Sequence, residues 1–341
     1  MPTFNPTVAL QQFVGVDIAA ASFTALWTVR QQQGERPITL DQTPMGFAAL
    51  HQHLQATQID PAATVVVLEA TSSYWVALAV ALHQWGYRVS VVNPMQVHHF
   101  AKSQLRRAKT DVLDALLLLQ FATERQPGTW SPPPEVYHQV RQRLMARDAL
   151  VEMRQQARNH RHALLQWPVV VESVRQHMDA TIQALDQQIA LLDAEISAAF
   201  QATSWASSLA LLLRIPGVGT LTAAWIIVAT LNFTIAPTAE ALTAYAGLAP
   251  AERRSGTSIR GRPSIGPGGH ARLRKALYMA TLSAGRHNPM IKECYERLRQ
   301  AGKPNKVARC AAARKLLHVA RAIILTGQPF DPTYGASRAQ A

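Results

Sequence analysis

The chain has 341 residues, enough for two domains with their own cores, and its 48% hydrophobic content excludes a disordered polypeptide. Its formal charge of +13 attracts polyanions, so nucleic acid leads as a partner and an anionic membrane surface follows. The charge is concentrated: residues 252–321 hold 17 Lys or Arg against three Glu and no Asp, which leaves the rest of the chain close to neutral.

In chain order, residues 13–18 and 22–29 form an apolar strand and its hairpin partner, and residues 37–40 a third strand. Residues 46–55 predict a short helix. The β-branched run 63–69 (ATVVVLE) predicts a buried strand, followed by a helix over 71–84 that stops at Gly86. The next strand, 87–92, is ended by Asn93-Pro94, and Thr110 is placed to cap a helix over 111–122. The order β-β-β-α-β-α-β-α is that of an α/β domain with a mixed sheet.

Pro132-Pro133-Pro134 is a stiff break. Two long helices follow, 135–166 and 170–200, split at Trp167-Pro168. In the second, Val174, Met178, Ile182, Leu185, Ile189, Leu192, Ile196 and Ala199 recur at spacings of three and four. That pattern is close to a heptad seam and predicts either a hairpin within one subunit or a coiled coil between subunits. From about Trp205 the pattern is helical, with Gly- and Arg-rich loops. Cys294 and Cys310 make no disulfide framework or Cys-x-x-Cys spacing. The first residues lack a signal-peptide pattern, and the apolar stretch 209–231 is broken by Arg214 and Pro216-Gly217-Val218-Gly219, so a cytoplasmic chain without a membrane span is expected.

Four acids stand out by position. Asp17 lies in an apolar strand, Glu69 ends the central strand, and Asp111 and Asp114 open a helix at i, i+3 spacing, hence on one face. An isolated carboxylate in an apolar strand is expensive, which favours a shared purpose for the set. Clustered oxygen donors suit Mg²⁺ or Mn²⁺, which stabilise attacking and leaving oxygens at a phosphodiester. The pattern suggests a ribonuclease-H-like (RuvC-like) domain.

In the basic half, residues 213–223 (LRIPGVGTLTA) have the shape of a helix-hairpin-helix turn, in which Gly217 and Gly219 let backbone N–H groups approach a phosphate. A polar loop then carries Ser255 among Arg253, Arg254, Arg260 and Arg262, whose forks match phosphate. Helices over 271–284, with Arg272, Arg274 and Lys275, and over 305–325 continue the basic surface.

Gly15-Val16-Asp17, Leu68-Glu69-Ala70-Thr71, Val91-Val92-Asn93-Pro94, Lys109-Thr110-Asp111-Val112-Leu113-Asp114-Ala115, Ile215-Pro216-Gly217-Val218-Gly219, Ala246-Gly247-Leu248-Ala249-Pro250, Ser255-Gly256-Thr257-Ser258 and Leu273-Arg274-Lys275-Ala276-Leu277-Tyr278 occur in this order. In these motifs the chain resembles the DEDD transposases of insertion-sequence family 110 and the related site-specific invertases, from Val14 to about Pro329. The resemblance implies that Asp17, Glu69, Asp111 and Asp114 are catalytic metal ligands and that Ser255 is the nucleophile; whether Ser258 or Thr257 assists it is left open by the sequence. Arg254 stands where the family commonly has an acidic or polar residue and receives no role. The resemblance also implies donor and target DNA as substrates and an element-encoded non-coding guide RNA, while the seam predicts self-association through residues 135–200, as a dimer or tetramer. The expected layout is a metal-binding domain over 1–128, a helical linker or coiled coil over 129–204, and a mainly helical transposase domain over 205–341. Two other readings remain: a hydrolytic junction-resolving nuclease using the same acids with water, and a nucleic-acid-binding regulator without chemistry.

Overall fold

The structure, a computed structural model, describes residues 12–28, 37–105, 110–201, 203–255 and 259–332, with backbone alone over 251–263. The chain divides into two compact units, Met1–Pro132 and Pro133–Ala341.

The first unit is built on a five-stranded sheet in the order β3-β2-β1-β4-β5. Strands β1 (Gln12–Ile18), β2 (Ser22–Trp27) and β3 (Ile38–Asp41) form an antiparallel meander, whereas β4 (Thr64–Glu69) and β5 (Arg88–Val92) run parallel to β1. Period-two alternation divides the β1 side chains between two cores. Val14, Val16 and Ile18 join Phe47, Leu50, Leu78 and Leu82 of α1 (Pro44–Ala56) and α2 (Trp75–Gln84). Phe13 on the other face joins Val65, Val67 and the apolar side of α3 (Pro94–Ser103) and α4 (Asp111–Arg125). Beside edge strand β5, the Trp130 N–H donates to Val89 O at 2.6 Å and the Ser90 hydroxyl to Gly128 O at 2.9 Å, so chain leaving α4 shields that edge.

Two expectations need correction here. Helix α3 is an addition, since Asn93-Pro94 reads in the sequence only as a strand terminator. Asn93 is instead an N-cap whose side chain accepts from Met95 N–H, with Gln96 completing a capping box. Helix α2 starts at Trp75 rather than Thr71, because the Thr71 hydroxyl bonds Glu69 and Ser72 sits at φ +55°.

The second unit is mainly helical: α5 (Glu135–Leu164), α6 (Glu172–Gln201), α7 (Ala206–Leu213), α8 (Thr220–Thr230), α9 (Ala239–Tyr245), then strands β6 (Ala251–Ser255) and β7 (Ile259–Ser264), then α10 (Ala271–His287), α11 (Pro289–Gln300) and α12 (Asn305–Thr326). Helix α8 is buried from Ala223 to Thr230 and forms the centre of the core. Around it pack Val140 and Leu144 of α5, Ile196 and Phe200 of α6, Leu277 of α10 and Leu316 of α12. The segment around Ser255, expected as a loop, is a β-hairpin in which Ser255 pairs with Ile259 and Arg254 with Arg260. No single helix among the described residues is long and apolar enough to cross a membrane.

Helices α5 and α6 form an antiparallel hairpin that supplies the α6 seam with a partner inside the chain. Arg147, Arg154 and Arg161 recur every seven residues on α5 and meet Asp193, Asp186 and Asp179, which recur every seven on α6. Arg143–Glu195 at 3.0 Å and Arg158–Asp186 at 3.1 Å add to the ladder. Only one pairing register satisfies all three heptad pairs. Ile189 is 5% exposed within the chain, so Ile189→Asp is expected to unfold the hairpin by burying a carboxylate, not to release folded monomers.

The ladder makes a testable case for charge specificity. Arg147→Asp should lower the full chain's thermal midpoint, and adding Asp193→Arg should recover most of the loss, with a coupling of about 0.5–1 kcal/mol for a half-exposed pair. Additive losses in the double variant would show that the pair does not set the register.

Candidate active site

In the first unit, the placing of the acids follows from sheet register. In the parallel pair β1–β4, Gly15 lies opposite Val67 and Val16 opposite Leu68, so the next same-face pair is Asp17 and Glu69. Both acids thus reach the C-terminal ends of neighbouring strands on the face covered by α4. What brings α4 there is Gly15: a Cβ at this position would lie 2.3 Å from Leu119 N and 2.4 Å from Ala115 O. The helix backbone therefore rests directly on the strand. Thr110 caps α4 by accepting from Leu113 N–H at 3.2 Å, while Ala115, Leu118, Leu119 and Ala122 form its buried side. Asp111 and Asp114 occupy its first turn, where the helix dipole favours negative charge.

Asp17 feels the charges of the other three acids. Asp17 has its pKa raised to about 6, first by burial and then by the charges of Asp114, Asp111 and Glu69; a backbone hydrogen bond from Ile18 opposes the shift. Glu69 accepts the Thr71 hydroxyl at 2.8 Å, which orients its carboxylate. Among the described residues, no three His, Cys, Asp or Glu side chains are gathered closely enough to hold a metal ion as they stand. The set is nevertheless chemically suited to a hard divalent cation, since all its donors are carboxylate oxygens whose mutual repulsion opposite charge relieves.

In the second unit, Ser255 ends β6 and Arg253 pairs with Gly261; the backbone also places Arg260 and Arg262 on β7. Thr257 and Ser258 lie outside the described residues, as do the side chains of Arg253, Ser255, Arg260 and Arg262. On α10, Lys275 is exposed. Arg272 stacks over Trp225 at 5.7 Å and lies 3.7 Å from Asp148, while the Arg274 guanidinium donates to backbone carbonyls. Gly219 precedes α8 in open, exposed surroundings, which leaves its helix N-terminus accessible to an anion. Gly217 serves packing: at φ +92°, a Cβ there would meet Ala284 of α10 at 2.4 Å. His270, the histidine nearest Ser255 downstream, caps α10 by accepting from Leu273 N–H at Nδ1. Burial, with the Arg141 charge, lowers its pKa. Nothing in the sequence pattern announces that cap.

Comparison with known proteins covers both halves. A DEDD transposase model of the IS110 type, described as "Transposase", matches residues 14–167, and the model of the IS116/IS110/IS902 transposase family matches residues 209–296. A pilin gene-inverting protein of Moraxella bovis is 32% identical over 94% of this chain and 97% of its own, and that of Moraxella lacunata is 31% identical over the same shares. An uncharacterized 43.6 kDa protein of insertion element IS110 from Streptomyces coelicolor is 33% identical over 45% of this chain and 36% of its own.

The raised Asp17 pKa has a stability consequence whose sign is fixed. A carboxyl group with a folded pKa above its unfolded value favours the fold when protonated, and that contribution is lost as pH rises through about 6. In chelator, Asp17→Asn should therefore stabilise the chain at pH 8, by about 1 kcal/mol after allowance for partial solvent exposure, and have little effect at pH 4. Denaturant titrations at the two pH values measure this; a destabilised Asn variant at pH 8 would remove the acid cluster.

Proposed function

The chain belongs to the IS110 family of transposases and is a DNA recombinase, and on that premise we propose that it cuts and rejoins strands with four carboxylates and a serine. The observation that supports the reading is the backbone geometry: parallel register sets Asp17 beside Glu69, and the close packing of α4 on Gly15 sets Asp111 and Asp114 in the first turn of the helix that covers that face. The strand order, with one acid next to the end of β1, one ending β4 and two in the first turn of α4, supports a ribonuclease-H-like domain over 1–128. A divalent ion, Mg²⁺ or Mn²⁺, held by these residues would supply charge stabilisation for the attacking and leaving oxygens.

Ser255 is assigned as the nucleophile of the transposase domain over 205–341. Its Oγ gives up a proton and forms a bond to phosphorus, while a deoxyribose oxygen leaves and takes a proton. Attack on the serine–phosphate ester by the hydroxyl of a new strand reverses the exchange. One P–O bond forms for each one broken, so rejoining needs no ATP. Lys275, Arg272, Arg253, Arg260 and Arg262, all within the basic segment 252–321, and the α8 N-terminus at Gly219 are assigned to phosphate contact, where they would give steep salt dependence. The family resemblance supports a non-coding RNA guide, and a dimeric or tetrameric assembly is proposed beside it.

The test is chemical trapping. With a nicked DNA substrate and the full chain, a covalent protein–DNA adduct should map to Ser255 by peptide mass analysis, and Ser255→Ala should bind DNA normally yet yield neither adduct nor recombinant. Cleavage by Ser255→Ala at the normal rate would return the protein to hydrolytic chemistry with water.

A further inference from the structure

The segment from Leu248 to Gly266 that carries β6 and β7 leaves the helical body between α9 and α10 and returns to it. Its two roots are tied together. The His270 N–H donates to Tyr245 O at 2.7 Å. The guanidinium of Arg274, on the first turn of α10, donates through Nη1 to Gly268 O at 2.7 Å and to Gly247 O at 3.5 Å, and through Nη2 to Pro267 O at 3.4 Å. One planar group thus spans the outgoing and returning chains. The two roots meet so closely that both crossing points are glycine with positive φ. A Cβ on Gly247 (φ +68°) would fall 2.0 Å from Arg274 Nη1, and one on Gly269 (φ +84°) would fall 2.5 Å from Gly247 N. Arg274 is half-buried, and its polar atoms are directed at carbonyls rather than outward.

We propose that Arg274 is a positioning residue for strand exchange: its guanidinium clamps the neck of the β6–β7 hairpin and so fixes where Ser255 stands. The assignment rests on Ser255 as nucleophile. It differs from the phosphate contact that charge alone suggests for Arg274. A phosphate contact needs only a cation, whereas the clamp needs a fork that reaches three carbonyls on two chain segments, which the single ammonium of Lys does not provide.

The experiment compares the full chain with Arg274→Lys, Arg274→Ala and Gly269→Ala, all first checked for an unchanged thermal midpoint of the helical core. Hydrogen exchange without DNA should be about tenfold or more faster in residues 245–270 of Arg274→Ala, with the cores of α8 and α12 unaffected. At saturating DNA, the adduct-forming rate should fall by about tenfold in Arg274→Lys and more in Arg274→Ala. DNA affinity and its salt dependence should stay within twofold of the parent, and millimolar guanidinium should partly restore Arg274→Ala. Gly269→Ala should reproduce the rate loss by forcing the same neck apart. Unchanged exchange in Arg274→Ala, or full activity in Arg274→Lys with a salt slope smaller by about one in Arg274→Ala, overturns the clamp. If Ser255→Ala recombines normally, the nucleophile assignment fails, and the exchange data still decide whether Arg274 holds the neck.

Discussion

The acidic half of this protein depends on the absence of one methyl group at Gly15. Helix α4 lies so near β1 that its Leu119 N and Ala115 O occupy the space of a side chain there. That approach carries the first turn of α4, with Asp111 and Asp114, to the strand end where Asp17 and Glu69 already sit side by side by parallel register. Strand pairing contributes two acids and close helix packing the other two. The cost appears in Asp17, which is pushed to about pH 6 for half-protonation because burial and three like charges disfavour its ionised form. Such destabilisation is what the charge of a divalent cation would relieve.

The basic half uses a different construction. Its core is a ring of helices about α8, and its chemistry is assigned to a short two-stranded excursion from that core. A hairpin alone is marginally stable, so its geometry has to be imposed at the roots. Glycines at 247 and 269, the His270 backbone and the Arg274 fork do so here. The long α5–α6 hairpin follows the same logic on a larger scale, since its apolar seam is shared along much of its length and a heptad of Arg–Asp pairs selects one register.

Much of this is legible in the order of the amino acids. The β-branched run through Val65–Val67 declares a buried strand, Thr110 declares the start of α4, and the places of the four acids, in a strand, at a strand end and at a helix start, are read correctly from the chain. Helix α3 is also encoded, because Asn93-Pro94-Met95-Gln96 is a capping-box sequence, but a proline directly after a strand reads equally well as a plain stop. The partner of the α6 seam is visible in Arg147, Arg154 and Arg161 against Asp179, Asp186 and Asp193; apolar periodicity by itself does not reveal it. Other features cannot be read locally. Arg274 looks like any surface cation until the carbonyls of residues 247, 267 and 268 are brought to it, and Gly217 looks like a phosphate loop until Ala284 packs against it.

The central claim is that four carboxylates assembled by the Gly15 contact make one divalent-ion centre. Direct titration of the full chain with Mn²⁺, followed by electron paramagnetic resonance, tests it independently of DNA. The account predicts saturable binding that is weakened about tenfold or more by each of Asp17→Asn, Glu69→Gln, Asp111→Asn and Asp114→Asn, and also by Gly15→Ala, which touches no ligand. Unaltered Mn²⁺ binding in the Asp111→Asn and Asp114→Asn variants would contradict it, because the helix would then contribute nothing to the site that its packing creates.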